Sequence, residues 1–232
     1  MIDAGRLRSA LVDARRRMEE GCVRAGRAPG SAEIVLAGKY VVADEAPALV
    51  EAGVGVIGEN RLQDLVAKQE VLGPGATFDF IGHLQTRKVK DVLPRVRLIH
   101  SVDRLSLLDE IARRAVDPVR VLLQVNPSGE ESKGGFALDG LDTALDHAAR
   151  LGVRVGGLMA LPPFTADPEA SRPWFEAVRD ARDALLPTWS GEHDLRDLSM
   201  GTSQDFIVAV EAGATMVRIG RGIVDLTRME QP

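Results

Sequence analysis

Apolar and polar positions alternate along this chain in blocks. Eight short apolar runs recur, from Ile34 to Lys39, Val54 to Glu59, Phe78 to His83, Val96 to Val102, Val119 to Val125, Val153 to Leu161, Leu195 to Met200 and Thr215 to Ile219. Runs this short, bounded by turn residues, predict strands buried on both faces. The segments between them carry apolar residues at helical spacing. Arg104 to Ala115 sets Leu105, Leu108, Ile111 and Ala112 on one face, and Ser203 to Ala212 sets Phe206, Ile207, Val210 and Glu211 around a turn. Ahead of the first run, an amphipathic helix is expected from about Asp3 to Ala25, with Leu7, Leu11 and Met18 on its apolar face.

Strands that alternate with helices pair in parallel through right-handed crossovers. Eight such units predict an α/β fold, a closed (β/α)8 TIM barrel with an extra N-terminal helix; an open doubly wound sheet is the alternative. Such barrels usually run to about 250 residues, so a chain of 232 implies short loops. No Pro/Gly/Ser linker or low-complexity stretch divides the sequence, which is expected to form a single domain over residues 1–232.

Charge removes several function classes. With 29 basic and 34 acidic residues interspersed, the net charge is −5 and there is no basic footprint for nucleic acid. No apolar run reaches membrane-spanning length and no signal peptide is visible, so a cytoplasmic protein is expected. The single cysteine, Cys22, cannot form an intramolecular disulfide and falls in the first helix, where it is expected to be a small core residue.

Candidate chemistry begins at Lys39, one of only five lysines against twenty-four arginines. It ends the apolar run Ile34-Val35-Leu36-Ala37-Gly38, where burial would lower the pKa of an amine and expose a nucleophilic lone pair. That is Schiff-base chemistry. In a barrel, active-site groups sit at the carboxyl ends of the strands. The residues ending the eight runs form a polar ring there: Lys39, Glu59 with Asn60, His83, Asp103, Gln124 to Asn126, Met159, Ser199 to Ser203, and Arg218 to Gly222.

Two glycine-rich turns follow the seventh and eighth runs. Ser199-Met200-Gly201-Thr202-Ser203-Gln204-Asp205 passes from strand to helix, leaving the amides near Thr202 and Ser203 as candidate anion donors. Gly220-Arg221-Gly222 lets backbone N–H groups approach a ligand oxygen. Loops at these two positions form the recurrent phosphate site of the barrel. A phosphate cup facing a lysine fits a sugar phosphate held for aldol chemistry or pyridoxal phosphate held as an aldimine.

Seven strings occur in order: Gly38-Lys39, Ile57 to Asp64, Phe80 to Lys88, Glu131 to Phe136, Gly157 to Ala160, Leu198 to Asp205, and Val217 to Gly220. Together they closely resemble the pyridoxal phosphate homeostasis protein family, single-domain relatives of the alanine racemase amino-terminal barrel. The resemblance spans Ile34 to Ile223 and implies pyridoxal 5'-phosphate as cofactor. By it, Lys39 matches the aldimine lysine, Ser199 and Ser203 the phosphate-side hydroxyls around Gly201, and Gly220 with Arg221 the second phosphate turn. Arg218 matches the arginine that faces the pyridine nitrogen, and a permanent cation there disfavours protonating the ring. Asn60, His83 and Met159 match strand-end positions lining the family's pocket. The chain departs from the family pattern at Tyr40-Val41-Val42 and at Arg221-Gly222-Ile223-Val224-Asp225.

A racemase needs acid/base groups on both faces of the substrate carbon. In alanine racemase the second is a tyrosine from a carboxyl-terminal domain for which no counterpart is expected here, and the only tyrosine, Tyr40, is expected to point away from its neighbour Lys39 if the strand continues. The resulting expectation is a carrier or buffer in intracellular cofactor homeostasis rather than an enzyme, with pyridoxal phosphate-dependent apo-enzymes as recipients. A pyridoxal phosphate-dependent amino-acid racemase or a Schiff-base aldolase is the alternative. The loop Pro127 to Phe136 carries Lys133, expected to be a solvated loop lysine, with a second amine for transimination as the alternative.

Overall fold

The computed structural model describes residues 1–130, 134–163 and 165–227. The first helix, α1 (Ala4–Arg24), starts where the Asp3 carboxylate accepts the Arg6 N–H at 2.9 Å. Leu7, Leu11, Ala14, Met18, Gly21 and Cys22 repeat at three and four residues and are buried as one stripe. Cys22 is thus the core residue its position predicts.

Eight parallel strands then alternate with helices: β1 (Glu33–Ala37), α2 (Pro47–Glu51), β2 (Val56–Glu59), α3 (Leu62–Leu72), β3 (Phe78–Phe80), α4 (Val89–Val92), β4 (Leu98–Val102), α5 (Leu105–Arg114), β5 (Arg120–Val125), α6 (Leu141–Arg150), β6 (Arg154–Ala160), α7 (Arg172–Trp189), β7 (Asp197–Thr202), α8 (Phe206–Glu211), β8 (Met216–Ile219) and α9 (Arg221–Val224). The strands close into a barrel in sequence order. Val35 of β1 pairs with Val56 on one side and with Arg218 of β8 on the other, which closes the ring. The expected TIM barrel is the fold, and the open doubly wound sheet is excluded. All eight strands lie within the predicted runs or overlap them, but most start or stop two or three residues short, because pairing ends before apolar character does.

Alternation along the strands builds two apolar layers. Ile34 and Leu36 belong to the large core under the helices, whereas Val35 and Ala37 join Val56, Ile81, Leu98, Leu122, Met159 and Met216 inside the barrel. By the same alternation four fully or nearly fully buried polar residues face inward, Asp79 of β3, His100 of β4, Ser199 of β7 and Arg218 of β8. α1 lies across α8, with Arg24 Nε 2.8 Å from Glu211 Oε1 and the Arg17 guanidinium 5.1 Å from the Phe206 ring centre. Among the described residues no helix is long and apolar enough to cross a membrane.

Candidate functional site

A cavity of about 430 Å3 opens at the carboxyl end of the barrel, and six residues expected there line it: Lys39, Asn60, Ser203, Arg218, Gly220 and Arg221. Its floor is Ala37 and Ile81 from the inner apolar cluster. A second cavity of about 460 Å3 lies between the starts of β4 and β5. Its Arg97 is held by Glu33 and Asp79 and its Arg120 by Asp194 and Asp197, so these cations are already neutralised.

Lys39 is presented differently from the strand-end reading. β1 stops at Ala37 and the chain enters a single 3-10 turn over Gly38–Tyr40. Lys39 is exposed rather than buried, so the desolvation expected to activate it is not what the fold supplies. The turn also cancels the strict alternation that would have sent Tyr40 the other way. Lys39 Nζ lies 4.9 Å from the Tyr40 ring centre, and the Arg221 guanidinium carbon lies 5.4 Å from it. The aromatic ring is a shared platform for two cations, and Tyr40 is itself part of the pocket wall.

The anion-binding turns meet at Ser203. Its hydroxyl oxygen accepts the backbone N–H groups of both Gly220 and Gly222, each at 3.2 Å. Ser203 Oγ therefore stands where two amides of the turn after β8 converge, the position an anionic oxygen takes once the hydroxyl turns aside. The first turn is arranged otherwise than expected. α8 begins at Phe206, not at Ser203, and the Thr202 N–H is already donated to Asp205 Oδ1 at 2.7 Å.

Gly220 is where the backbone must be bare. A methyl group there would sit 2.7 Å from Tyr40 Cε2 and 3.0 Å from Ala37 Cβ. Overpacking of this kind costs about 1–3 kcal/mol. Gly220→Ala is therefore expected to lower the unfolding free energy by that amount, seen as a lower urea midpoint with an unchanged slope; a wild-type midpoint would show that Tyr40 yields without cost.

Arg218 anchors the inner wall of the cavity. Its Nη1 donates to the Ser199 carbonyl at 2.5 Å and to Ser199 Oγ at 2.6 Å, and its Nη2 donates to the Ala160 carbonyl at 2.7 Å. Burial pulls its pKa down to about 10, which still leaves it a cation at neutral pH. Asn60 adds an acceptor, since its Oδ1 is buried without a hydrogen-bond partner.

Four residues assigned to the pocket from sequence lie outside its lining. His83 is exposed on the rim, where its Nδ1 faces Asp103 Oδ2 at 3.1 Å. Met159 is packed in the apolar cluster beneath the floor. Ser199 points inward, bonded to Arg218 and His100, because its strand position faces the barrel axis rather than the mouth. Gly201 serves packing: with φ at 89°, a Cβ would lie 2.5 Å from Ala209 Cβ on α8. Glu59, read as part of the rim, turns outward to Lys68 of α3 at 2.7 Å, and both are buried. Lys133 lies outside the described residues. Sequence reasoning missed Tyr40 and Leu161 as wall residues. The adjacency of the one tyrosine to Lys39 was the available signal. Among the described residues, no three His, Cys, Asp or Glu side chains are grouped to hold a metal ion.

An amine, two converging turn amides capped by Ser203 and a buried arginine suit a ligand with a carbonyl and a phosphate. Comparison with known proteins agrees with that chemistry. The model of the alanine racemase N-terminal domain matches residues 36–227. A pyridoxal phosphate homeostasis protein of Aquifex aeolicus is 42% identical over 209 residues, covering 88% of this chain and 91% of that protein. Among solved structures, an unknown protein from Bifidobacterium adolescentis superposes with a TM-score of 0.86 at 35% identity, covering 96% of this chain and 97% of that one. PipY of Synechococcus elongatus, solved with pyridoxal phosphate bound, gives a TM-score of 0.81 at 27% identity over 94% of this chain and 99% of its own.

Proposed function

Because the chain belongs to the alanine racemase N-terminal domain family, and within it to the pyridoxal phosphate homeostasis proteins, we propose that it holds pyridoxal phosphate on Lys39 as a carrier or buffer of that cofactor. The observation that carries this reading is the convergence in one cavity of the Lys39 amine, the Gly220 and Gly222 amides at Ser203, and the Arg218 guanidinium. The residues fit the group. Ser203 and the two amides take the phosphate, Lys39 supplies the amine for the aldehyde, and the unpartnered Asn60 Oδ1 accepts from a ligand hydroxyl. Arg218 keeps a fixed positive charge beside the ligand. When bound, the cofactor supplies a reactive aldehyde and an electron-withdrawing ring; the protein's part is to shelter the first and restrain the second.

Storage rather than turnover follows from where the acid/base groups stand. Proton removal from one face of a substrate carbon and return to the other needs groups on opposite sides. Tyr40 and Lys39 are stacked together on one side, ammonium over ring, so they cannot divide the two faces between them. Relatives carry the name of homeostasis proteins rather than of enzymes. The recipients are pyridoxal phosphate-dependent apo-enzymes, met in the cytoplasm.

Protein loaded with pyridoxal phosphate and supplied with L-alanine or L-serine is expected to leave the optical rotation unchanged, while addition of an apo-enzyme restores that enzyme's activity as the carrier's visible absorption declines. Sustained racemisation at ordinary enzyme rates, of about 1 per second or faster, would overturn the carrier reading in favour of catalysis.

A further inference from the structure

The inside of the barrel contains a polar chain that the pocket chemistry does not require. Asp79, His100 and Ser199 are each at most 1% exposed, and they run in line to Arg218 at 5%. Buried polar groups persist when every donor and acceptor is matched, and here the match fixes the direction of each bond. Asp79 Oδ2 lies 3.0 Å from His100 Nε2, so that nitrogen carries the proton. His100 Nδ1 lies 2.8 Å from Ser199 Oγ. With Nε2 protonated and the buried imidazole neutral, Nδ1 is an acceptor, so Ser199 Oγ accepts from Arg218 Nη1 and donates its own hydrogen to Nδ1. The chain therefore reads Arg218 to Ser199 to His100 to Asp79, with a neutral imidazole in the middle.

Both ends are tied down. Asp79 is gripped from the far side by Arg97, through Nε to Oδ1 at 3.0 Å and Nη2 to Oδ2 at 2.7 Å, and Arg97 also binds Glu33 at 2.9 Å. Burial alone would raise the Asp79 carboxyl, but the bonds from His100 and Arg97 hold it below its ordinary range. Burial pushes His100 down, which keeps the imidazole neutral and sets these bond directions. Among the described residues Arg218, 5% exposed, bonds the Ser199 and Ala160 carbonyls, and Ser199 Oγ is the one side chain that it holds.

We propose that Asp79, His100 and Ser199 form a positioning relay that holds the Arg218 guanidinium against the pocket, so that residues out of reach of the ligand set the charge felt by bound pyridoxal phosphate. The proposal rests on the function argued above. None of the three lines the cavity; they act through Arg218. Loosening Arg218 withdraws positive charge from the ligand, which favours its protonated form. The pH midpoint of the visible absorption change should then move up, by about half a pH unit or more for a displacement of about 2 Å.

The test compares six proteins loaded with pyridoxal phosphate: wild type, His100→Gln, His100→Leu, Ser199→Ala, Arg218→Gln and the double variant Ser199→Ala with Arg218→Gln. Glutamine retains one donor and one acceptor, so His100→Gln is expected to keep the wild-type midpoint. His100→Leu and Ser199→Ala are expected to raise it, and Ser199→Ala added to Arg218→Gln should raise it no further than Arg218→Gln alone. Ser199→Ala removes a single oxygen and decides the matter if His100→Leu does not fold. A wild-type midpoint in Ser199→Ala, or an equal further rise in the Arg218→Gln background, overturns the relay while leaving the carrier intact. A wild-type protein that takes up no pyridoxal phosphate overturns both.

Discussion

Lys39→Ala is expected to lose the visible absorption of the bound cofactor completely and to yield no pyridoxylated peptide after borohydride reduction. Of the five lysines, Lys39 alone among those described lines the cavity. Lys68 is buried against Glu59, and Lys88 and Lys90 sit on the segment that follows β3. The phosphate contacts survive the substitution, since the Gly220 and Gly222 amides and Ser203 belong to other turns. Retention through dialysis should nevertheless fall by about a hundredfold or more, equivalent to roughly 3 kcal/mol of lost attachment. The exposed position of Lys39 means that folding stability should change by no more than about 0.5 kcal/mol. A variant that unfolds, or a wild-type protein reduced at another lysine, would show that the amine serves something other than the ligand.

The barrel was legible because the strands are short, largely apolar runs, and that is a local property. Val35 and Leu36 face different layers and are both fully buried, so neither face offers the polar alternation of a surface strand. Direction at the strand ends was not legible. Whether Tyr40 joins Lys39 or opposes it depends on the turn at Gly38–Tyr40, which forms where Gly38 abuts the Glu59 side chain from the next strand. Nothing within β1 encodes that contact. Ser199 and Ser203 look alike in sequence, four residues apart beside a glycine. One meets partners 99 and 19 residues away inside the barrel, and the other meets amides 17 and 19 residues away at the mouth. Only closure of the sheet tells them apart. His83 shows the reverse failure: a motif residue at a strand-end position, left on the rim because β3 ends at Phe80 and the chain turns before reaching it.

Lys68→Met is expected to destabilise the fold by about 3–5 kcal/mol at neutral pH, the usual cost of leaving a buried charge without its partner. Glu59 is fully buried, Lys68 is 2% exposed, and 2.7 Å separates Nζ from Oε1. Burial already pushes the Glu59 carboxyl up, against the opposing pull of Lys68; removing the cation pushes it further. The sign of the pH effect follows. A carboxyl whose folded pKa exceeds its unfolded value holds its proton more tightly in the folded state, so it loses stability as pH rises through the folded pKa. The deficit of Lys68→Met should therefore be small at about pH 3, where Glu59 is protonated in both states, and grow to its full size above the raised pKa. Adding Glu59→Gln should recover most of the loss at neutral pH and flatten the pH dependence, since no buried charge then remains. Denaturant unfolding of the three proteins at several pH values separates the causes: a deficit equal at acid and neutral pH would mean that Lys68 contributes packing through its stem and that the Glu59 charge is immaterial. Because Gly38 abuts the Glu59 carboxylate, the same substitution also loosens the turn that carries Lys39. Cofactor loading should fall together with stability in Lys68→Met and recover with it in the double variant, which ties a buried ion pair under α3 to the amine at the mouth.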